Sequence, residues 1–186
     1  MAEIMTVLHE CADFNRWKPV FDADAPNRKA AGLTDLMMLR HADKPNVIAL
    51  VFSVSDRAKA EAMAASPQLR EAMQKGGIIG KPEMHFRQGE LDVQKAPLYL
   101  SLNCKIRDLA TFRKGYAMDK ADRVAASLTD LGLLTEIDDP TNLLIVWSVK
   151  DKAKVEAFLS SPALAEHQVK NAGVTSPPVL RYWTPA

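Results

Sequence analysis

Histidine side chains are the first candidates for catalytic residues in this sequence. His9 and His85 both lie in stretches where apolar residues alternate with others. A histidine in an apolar pocket can act as a general base, because burial shifts its pKa. We therefore predict His9 and His85 as catalytic residues. A hydrogen-bonded core histidine is the structural alternative for His9, and the pattern leaves open which face of its strand His85 occupies.

Three further residues are predicted to bind a substrate. Trp17 and Phe21 are four positions apart, which places them on one face of a helix, and their rings could stack on an aromatic or polyketide-like molecule. Arg40 could contribute a polar contact from a strand end. The structural alternatives are a core role for the two aromatic residues and an exposed strand end for Arg40.

Sequence motifs for metals, nucleotides and phosphates are absent. The chain contains no G-x-x-x-x-G-K-[ST], G-x-G-x-x-G or H-E-x-x-H pattern. The glycine-rich segment 76–80 follows a predicted helix instead of opening one, so we interpret it as a helix C-terminus. The two cysteines, Cys11 and Cys104, are far apart and are predicted to be buried, reduced thiols. We expect no metal site and no cofactor.

Composition excludes several classes of partner. The 186 residues include 24 basic and 23 acidic side chains, for a formal net charge of +1, which gives no electrostatic basis for binding nucleic acid or an anionic membrane. No apolar run approaches the length of about 18 residues needed for a transmembrane helix. The N-terminus lacks the pattern of a secretory signal. We therefore expect a cytoplasmic protein.

The chain is a tandem duplication. Shifted by 95 residues, it aligns with itself without a gap, and 26 of the 70 positions from 13 to 82 are identical. The tetrapeptide LTDL occurs at 33–36 and again at 128–131, and SPxL occurs at 66–69 and again at 161–164. Unrelated segments do not keep one register at that level, so each repeat is a structural unit.

Each repeat has the pattern βαββαβ. Alternation over 5–12 predicts a half-buried strand with Met5, Val7, His9 and Cys11 on one face. A helix, or a broken pair of helices, follows the capping residue Asp13. The remaining elements are predicted from composition and turn signals. They are a strand at 36–40, a turn at 43–46, an apolar strand at 47–54, an alanine-rich helix broken at 66–67, and a closing strand at 83–88.

The same elements return in the second repeat. We divide the chain into a first ferredoxin-like repeat at 1–88, a linker at 89–96 and a second repeat at 97–186. A βαββαβ unit forms a four-stranded antiparallel sheet with its helices on one face. Its other face is also apolar here and requires cover, which the second repeat can supply. The predicted fold class is α+β, with the two repeats forming one intramolecular barrel.

These motifs resemble those of the dimeric α+β-barrel superfamily, which includes antibiotic-biosynthesis monooxygenase-like domains. The resemblance rests on the aspartate-started aromatic helix, the D-x-P turn, the strand ending in S-V-x-D and the S-P-x-L segment, and it covers nearly the whole chain. Two chains usually build this barrel, so the resemblance implies that one duplicated chain builds it here. The superfamily includes cofactor-free oxygenases, isomerases, cyclases and haem-degrading enzymes. No haem-binding set is identifiable, because neither Trp17 nor His167 has a partner at the required spacing.

One pair of arginines occurs at equivalent positions of both repeats. Arg28 and Arg123 either tie a helix end to an acidic partner or line two equivalent anion sites. We favour the structural tie.

Two functions remain open. The first is a non-catalytic protein that binds a small apolar or aromatic ligand. The alternative is a cofactor-independent enzyme, monooxygenase-like or isomerase/cyclase-like, acting on an apolar or aromatic metabolite. Nucleic acid and membranes are not expected partners, and the chain is expected to be either a monomer with an internal pseudo-dimer or a homodimer.

Overall fold

A computed structural model describes residues 2–186 and shows the predicted order of elements in each half, with every predicted helix region divided in two. The first half contains β1 (Ala2–Cys11), α1 (Phe14–Ala23), α2 (Ala25–Ala30), β2 (Leu33–His41), β3 (Val47–Val54), α3 (Arg57–Ala64), α4 (Pro67–Gly76) and β4 (Ile78–Leu91). The second contains β5 (Tyr99–Lys105), α5 (Leu109–Met118), α6 (Lys120–Ala125), β6 (Leu128–Glu136), β7 (Asn142–Val149), α7 (Lys152–Leu159), α8 (Pro162–Lys170) and β8 (Val179–Pro185).

The chain divides into two compact units. The first unit runs to Arg87 and includes Pro185–Ala186, and the second covers Gln88–Thr184. Within the first unit the strands pair in the order β1-β3-β2, and within the second unit in the order β8-β5-β7-β6. The predicted fold class, α+β with two βαββαβ repeats, is confirmed.

Strand pairing is the same in the two units. β3 pairs antiparallel with β1 and β2, and β7 pairs antiparallel with β5 and β6. The register shifts between Asp35 and Met37 in β2, and between Asp130 and Gly132 in β6. This irregularity therefore stands at equivalent positions of the duplication, as expected for a feature that both copies need in order to fold.

The helices of the first unit cover the predicted face of β1. Met5, Val7 and Cys11 are buried in one cluster with Trp17 of α1 and Ala60 of α3. Period-two alternation along the strand brings these residues to the same side. The prediction that Met5, Val7, His9 and Cys11 share a buried face is confirmed.

Most of the predicted caps form. The Asp13 carboxylate accepts from the backbone NH of Asn15 at 2.8 Å, and that of Asp108 accepts from Thr111 at 2.7 Å. Ser66 Oγ accepts from the NH of Leu69 at 3.1 Å. Ser161 holds the equivalent N-cap position, but its hydroxyl makes no cap hydrogen bond. Gly77 ends α4 with φ of 73°, a left-handed conformation that glycine adopts without steric cost.

The paired arginines are structural ties. Arg28 donates from Nε and Nη2 to the two carboxylate oxygens of Asp35, at 3.0 and 2.9 Å, and from Nη1 to the carbonyl of Phe21 at 2.6 Å. Arg123 makes the same three contacts to Asp130 and to the carbonyl of Tyr116. All three guanidinium nitrogens of each arginine thus donate to groups of its own unit. This favours a structural tie over an anion site.

The second unit adds neutral donors to this tie. Tyr116 OH donates to Asp130 Oδ1 at 2.6 Å, and Trp147 Nε1 lies 2.9 Å from the same oxygen. Burial by itself would raise the pKa of Asp130, but the hydrogen bonds from Arg123 and Tyr116 outweigh it and hold that pKa below its usual value. In the first unit Phe21 and Phe52 stand at the positions of Tyr116 and Trp147 and have no donor to offer.

Asp130→Asn is expected to lower the free energy of unfolding by about 2 kcal/mol, and Asp35→Asn by about 1 kcal/mol. The difference follows from the extra donors on Asp130. Both values are discounted for solvent screening, because the two side chains are 41% and 52% exposed. Urea denaturation at pH 7 measures the effect. Asp22→Asn, which breaks only the exposed pair with Lys18, is the control with a change under about 0.5 kcal/mol. A loss from Asp35→Asn as large as that from Asp130→Asn would contradict this account.

Candidate ligand cavity of the first unit

An apolar cavity of about 90 Å³ lies between the helices and the sheet of the first unit. Its wall takes residues from all four strands and all four helices of the first half. Most of that wall is aliphatic, aromatic or thioether surface, and the ionisable side chains within it are His9, Asp24 and Arg28. Such a site recognises a ligand mainly by apolar contact and shape, with few polar contacts.

His9 lines this cavity and has an unsatisfied polar atom. Its side chain is only 8% exposed, and its Nε2 is buried with no hydrogen-bond partner among the described residues. Burial lowers the pKa of His9 to about 4, so the imidazole is neutral at pH 7. The structural alternative of a hydrogen-bonded core histidine does not describe this Nε2, since a buried polar atom without a partner carries a desolvation cost.

Trp17 and Phe21 form one aromatic side of the cavity. Their ring centroids are 5.0 Å apart and the rings are stacked, while the centroid of Trp17 is also 5.0 Å from that of His9. Gly76 of α4 permits this packing, because a Cβ there would lie 3.2 Å from Trp17 Cδ1. The structure therefore brings together three of the five predicted site residues: His9, Trp17 and Phe21.

His85 lies on the other face of β4. Its neighbours Met84 and Phe86 both pack against the core cluster of the first unit, and Met84 lines the cavity. Alternation along the strand then directs His85 to the opposite side. Its predicted catalytic role would have to be carried out away from His9.

Arg40 lies at the β2–β3 turn. Its Nε donates to the carbonyl of Pro45 at 2.7 Å, and its guanidinium lies 4.1 Å from the centroid of the Phe14 ring. Through these contacts Arg40 stabilises the turn and packs over the Phe14 ring. Its predicted substrate contact stays a prediction.

Sequence reasoning missed the methionines and alanines that shape the cavity. Four methionines line it: Met5, Met63, Met73 and Met84. Ala60 and Ala64 of α3 leave space where the second repeat has larger residues, Val155 and Leu159. This signal was available from the alignment of the two copies, as a set of differences in side-chain size on one helix.

The equivalent space in the second unit is much smaller. It measures about 30 Å³ and is lined by Phe158, Leu159, Tyr116 and Trp147 among others. Phe158 stands at the position of Met63, and Trp147 at that of Phe52. Trp147 Nε1 donates to Tyr116 OH at 2.7 Å, which ties these two side chains together. The two units thus share a fold and differ in the free volume at this equivalent position between helices and sheet.

The cysteines are buried thiols, as predicted. Burial raises the pKa of Cys104 to about 11 and raises that of Cys11, with Arg40 acting in the opposite direction on Cys11 to a smaller extent. Both are therefore poor nucleophiles at pH 7. Within residues 2–186 no group of three His, Cys, Asp or Glu side chains could hold a metal ion. None of the helices in that range is long and apolar enough to cross a membrane.

Comparison with known proteins identifies the fold. No family model matches the sequence, and no curated protein matches it. Solved structures do match over the whole chain. An anthrone oxidase-like protein aligns with a TM-score of 0.64 at 9% identity, covering 100% of this chain and 91% of the other.

Two Listeria proteins give the same result. An uncharacterized ferredoxin-fold protein related to antibiotic biosynthesis monooxygenases, from Listeria monocytogenes, has a TM-score of 0.53 at 8% identity and covers 100% of this chain and 96% of its own. A monooxygenase-like protein from Listeria innocua has a TM-score of 0.52 at 10% identity and covers 98% and 94%.

The chain has the dimeric α+β-barrel fold. The resemblance stated from the motifs is confirmed at the level of fold. Identities of about a tenth show the fold alone. The chemistry must therefore be argued from the cavity itself.

The buried state of His9 predicts a specific pH dependence. Because the pKa of His9 is about 4 in the folded protein against an ordinary value of 6.5, the unfolded chain binds this proton first as the pH falls. Stability is therefore full above pH 6.5 and declines towards pH 4, by about 2 to 3 kcal/mol between pH 7 and 4.5. His9→Leu is expected to remove this part of the decline.

Two measurements check this prediction. Urea denaturation of wild type and His9→Leu at pH 7 and at pH 4.5 gives the difference in decline, which cancels the contributions of the other groups. Titration of the His9 ring signals by NMR gives the pKa directly. A midpoint near 6.5, or an equal decline in both proteins, would contradict the buried neutral imidazole.

Proposed function

We propose that the first unit binds a small apolar or aromatic molecule in its cavity. The observation that carries this proposal is an apolar cavity of about 90 Å³ lined by His9, whose buried Nε2 has no hydrogen-bond partner among the described residues. A protein that keeps such a space in one unit and nearly fills it in the other fits a unit specialised for binding.

The size of the cavity favours a ligand of about one ring. A protein cavity of roughly 150 Å³ accommodates benzene, and one water needs about 10–15 Å³. At about 90 Å³, this cavity takes a ring only if its wall adjusts. Met5, Met63, Met73 and Met84 supply that adjustment, because each methionine side chain has three rotatable bonds and a polarisable sulfur.

A cofactor-independent oxygenase is the second candidate. Similar structures named anthrone oxidase-like and monooxygenase-like favour it, and His9 beside Trp17 could accept a proton from a bound substrate. The lowered pKa of His9, about 4, makes it a weak base at pH 7. We therefore place binding first.

Filling the cavity tests the binding proposal. The double variant Ala60→Val and Ala64→Leu introduces the residues of the second repeat, Val155 and Leu159. It is expected to weaken binding of benzene and toluene at least tenfold, measured by isothermal titration calorimetry. Its free energy of unfolding should stay equal or rise by up to about 1 kcal/mol, because the added methyl groups fill internal space. A stable variant that binds as tightly as wild type would contradict the proposal.

A matched control lies on the same helix. Ala62 of α3 is exposed, so Ala62→Val makes the same change as Ala60→Val outside the cavity and should leave binding unchanged. Oxygen uptake with anthrone tests the second candidate on the same proteins. Uptake by wild type and Ala62→Val that is lost in His9→Leu would favour the oxygenase over the binding protein.

A further inference from the structure

Three ionisable side chains line the cavity, and two of them already make hydrogen bonds within the first unit. The guanidinium of Arg28 donates to both oxygens of Asp35 and to the carbonyl of Phe21. Its charge is balanced by Asp35 at 2.9 Å. Asp24 is half-buried, and its Oδ1 accepts from Asn27 Nδ2 at 2.6 Å. The Arg28 donors are therefore engaged, and Asp24 can only accept further hydrogen bonds.

His9 differs from Arg28 and Asp24 because one of its ring nitrogens makes no hydrogen bond to the described residues. Its Nε2 is buried and has no partner among the described residues, and its ring lines the cavity. A hydrogen bond from a ligand to such an atom offsets the free-energy cost of its desolvation. A ligand with one hydrogen-bonding group near His9 therefore gains more than a purely apolar ligand of the same shape.

The charge states of the residues that line the cavity restrict the class of ligand further. The imidazole is neutral at pH 7, because burial lowers the pKa of His9 to about 4. The positive charge of Arg28 is committed to Asp35. A carboxylate entering the cavity would lose its hydration without gaining an opposite charge, which is strongly unfavourable. An ammonium group would meet only Asp24, whose Oδ1 already accepts from Asn27.

We propose that the ligand is a neutral, one-ring molecule bearing a single hydroxyl group, which pairs with Nε2 of His9 while the ring contacts Trp17 and the methionines. This inference rests on the proposed function and adds the class of ligand. A hydroxyl fits either tautomer of a neutral imidazole, since it can both donate and accept. Phenol is the simplest probe of this class, and toluene has nearly its shape without the hydrogen-bonding group.

Calorimetry of phenol, toluene and benzoate at pH 7 with wild type and His9→Leu tests the inference. The quantity measured is the ratio of the toluene to the phenol dissociation constant, in which the effects of the variant on shape cancel. We expect this ratio to fall at least tenfold in His9→Leu, which corresponds to 1.4 kcal/mol. Benzoate is expected to bind at least tenfold more weakly than phenol to wild type.

Each outcome separates the inference from the proposed function. If phenol and toluene both bind and their ratio is the same in the two proteins, the hydroxyl inference is overturned and the binding proposal stands. Benzoate binding as tightly as phenol would overturn the neutral class. If no probe binds wild type, the proposed function itself fails and the inference falls with it. His9→Cys, which introduces the residue found at position 104 in the second repeat, repeats the comparison if His9→Leu does not fold.

Discussion

One buried guanidinium in each unit fixes the helices to the strand beneath them, and the site depends on it. Arg28 holds Asp35 of β2 and the carbonyl of Phe21 at the same time, and its guanidinium lies 3.6 Å from the centroid of the Phe21 ring. Phe21 stacks on Trp17, and Trp17 packs against His9. The ion pair, which is shielded from water on the side of the arginine, therefore holds Phe21 directly and contributes to the positions of Trp17 and His9 through these ring contacts.

The second unit shows what the same tie does when its surroundings are polar. Arg123 holds Asp130 and the carbonyl of Tyr116 in the same geometry. Here the ring carries a hydroxyl and the neighbour is Trp147, so hydrogen bonds link the helix residue to β7 and little space is left. After duplication the tie was kept in both copies, while side-chain volume changed around it. Cavities in proteins are set by such differences of a few methyl groups.

The elements could be predicted well because they depend on local rules. Asp13 and Asp108 cap helices because their carboxylates reach the free NH groups of the first turn. Alternation placed Met5, Val7, His9 and Cys11 on one buried face, since side chains in a strand alternate between its two sides. The site was predicted only in part. His9, Trp17 and Phe21 meet at the cavity, whereas Arg40 holds a turn and His85 lies on the other face of β4.

The sequence by itself determined the duplication, the order of elements and the fold class, because periodicity, caps and turn residues act over a few positions and occur twice. Only the tertiary structure decided that Nε2 of His9 has no partner within residues 2–186, that Arg28 is already hydrogen-bonded to Asp35, and that Ala60 and Ala64 of α3 line a cavity. These facts concern how densely side chains from distant elements pack together. Free volume and unmet hydrogen bonds are properties of that packing, and no single segment of the chain contains them.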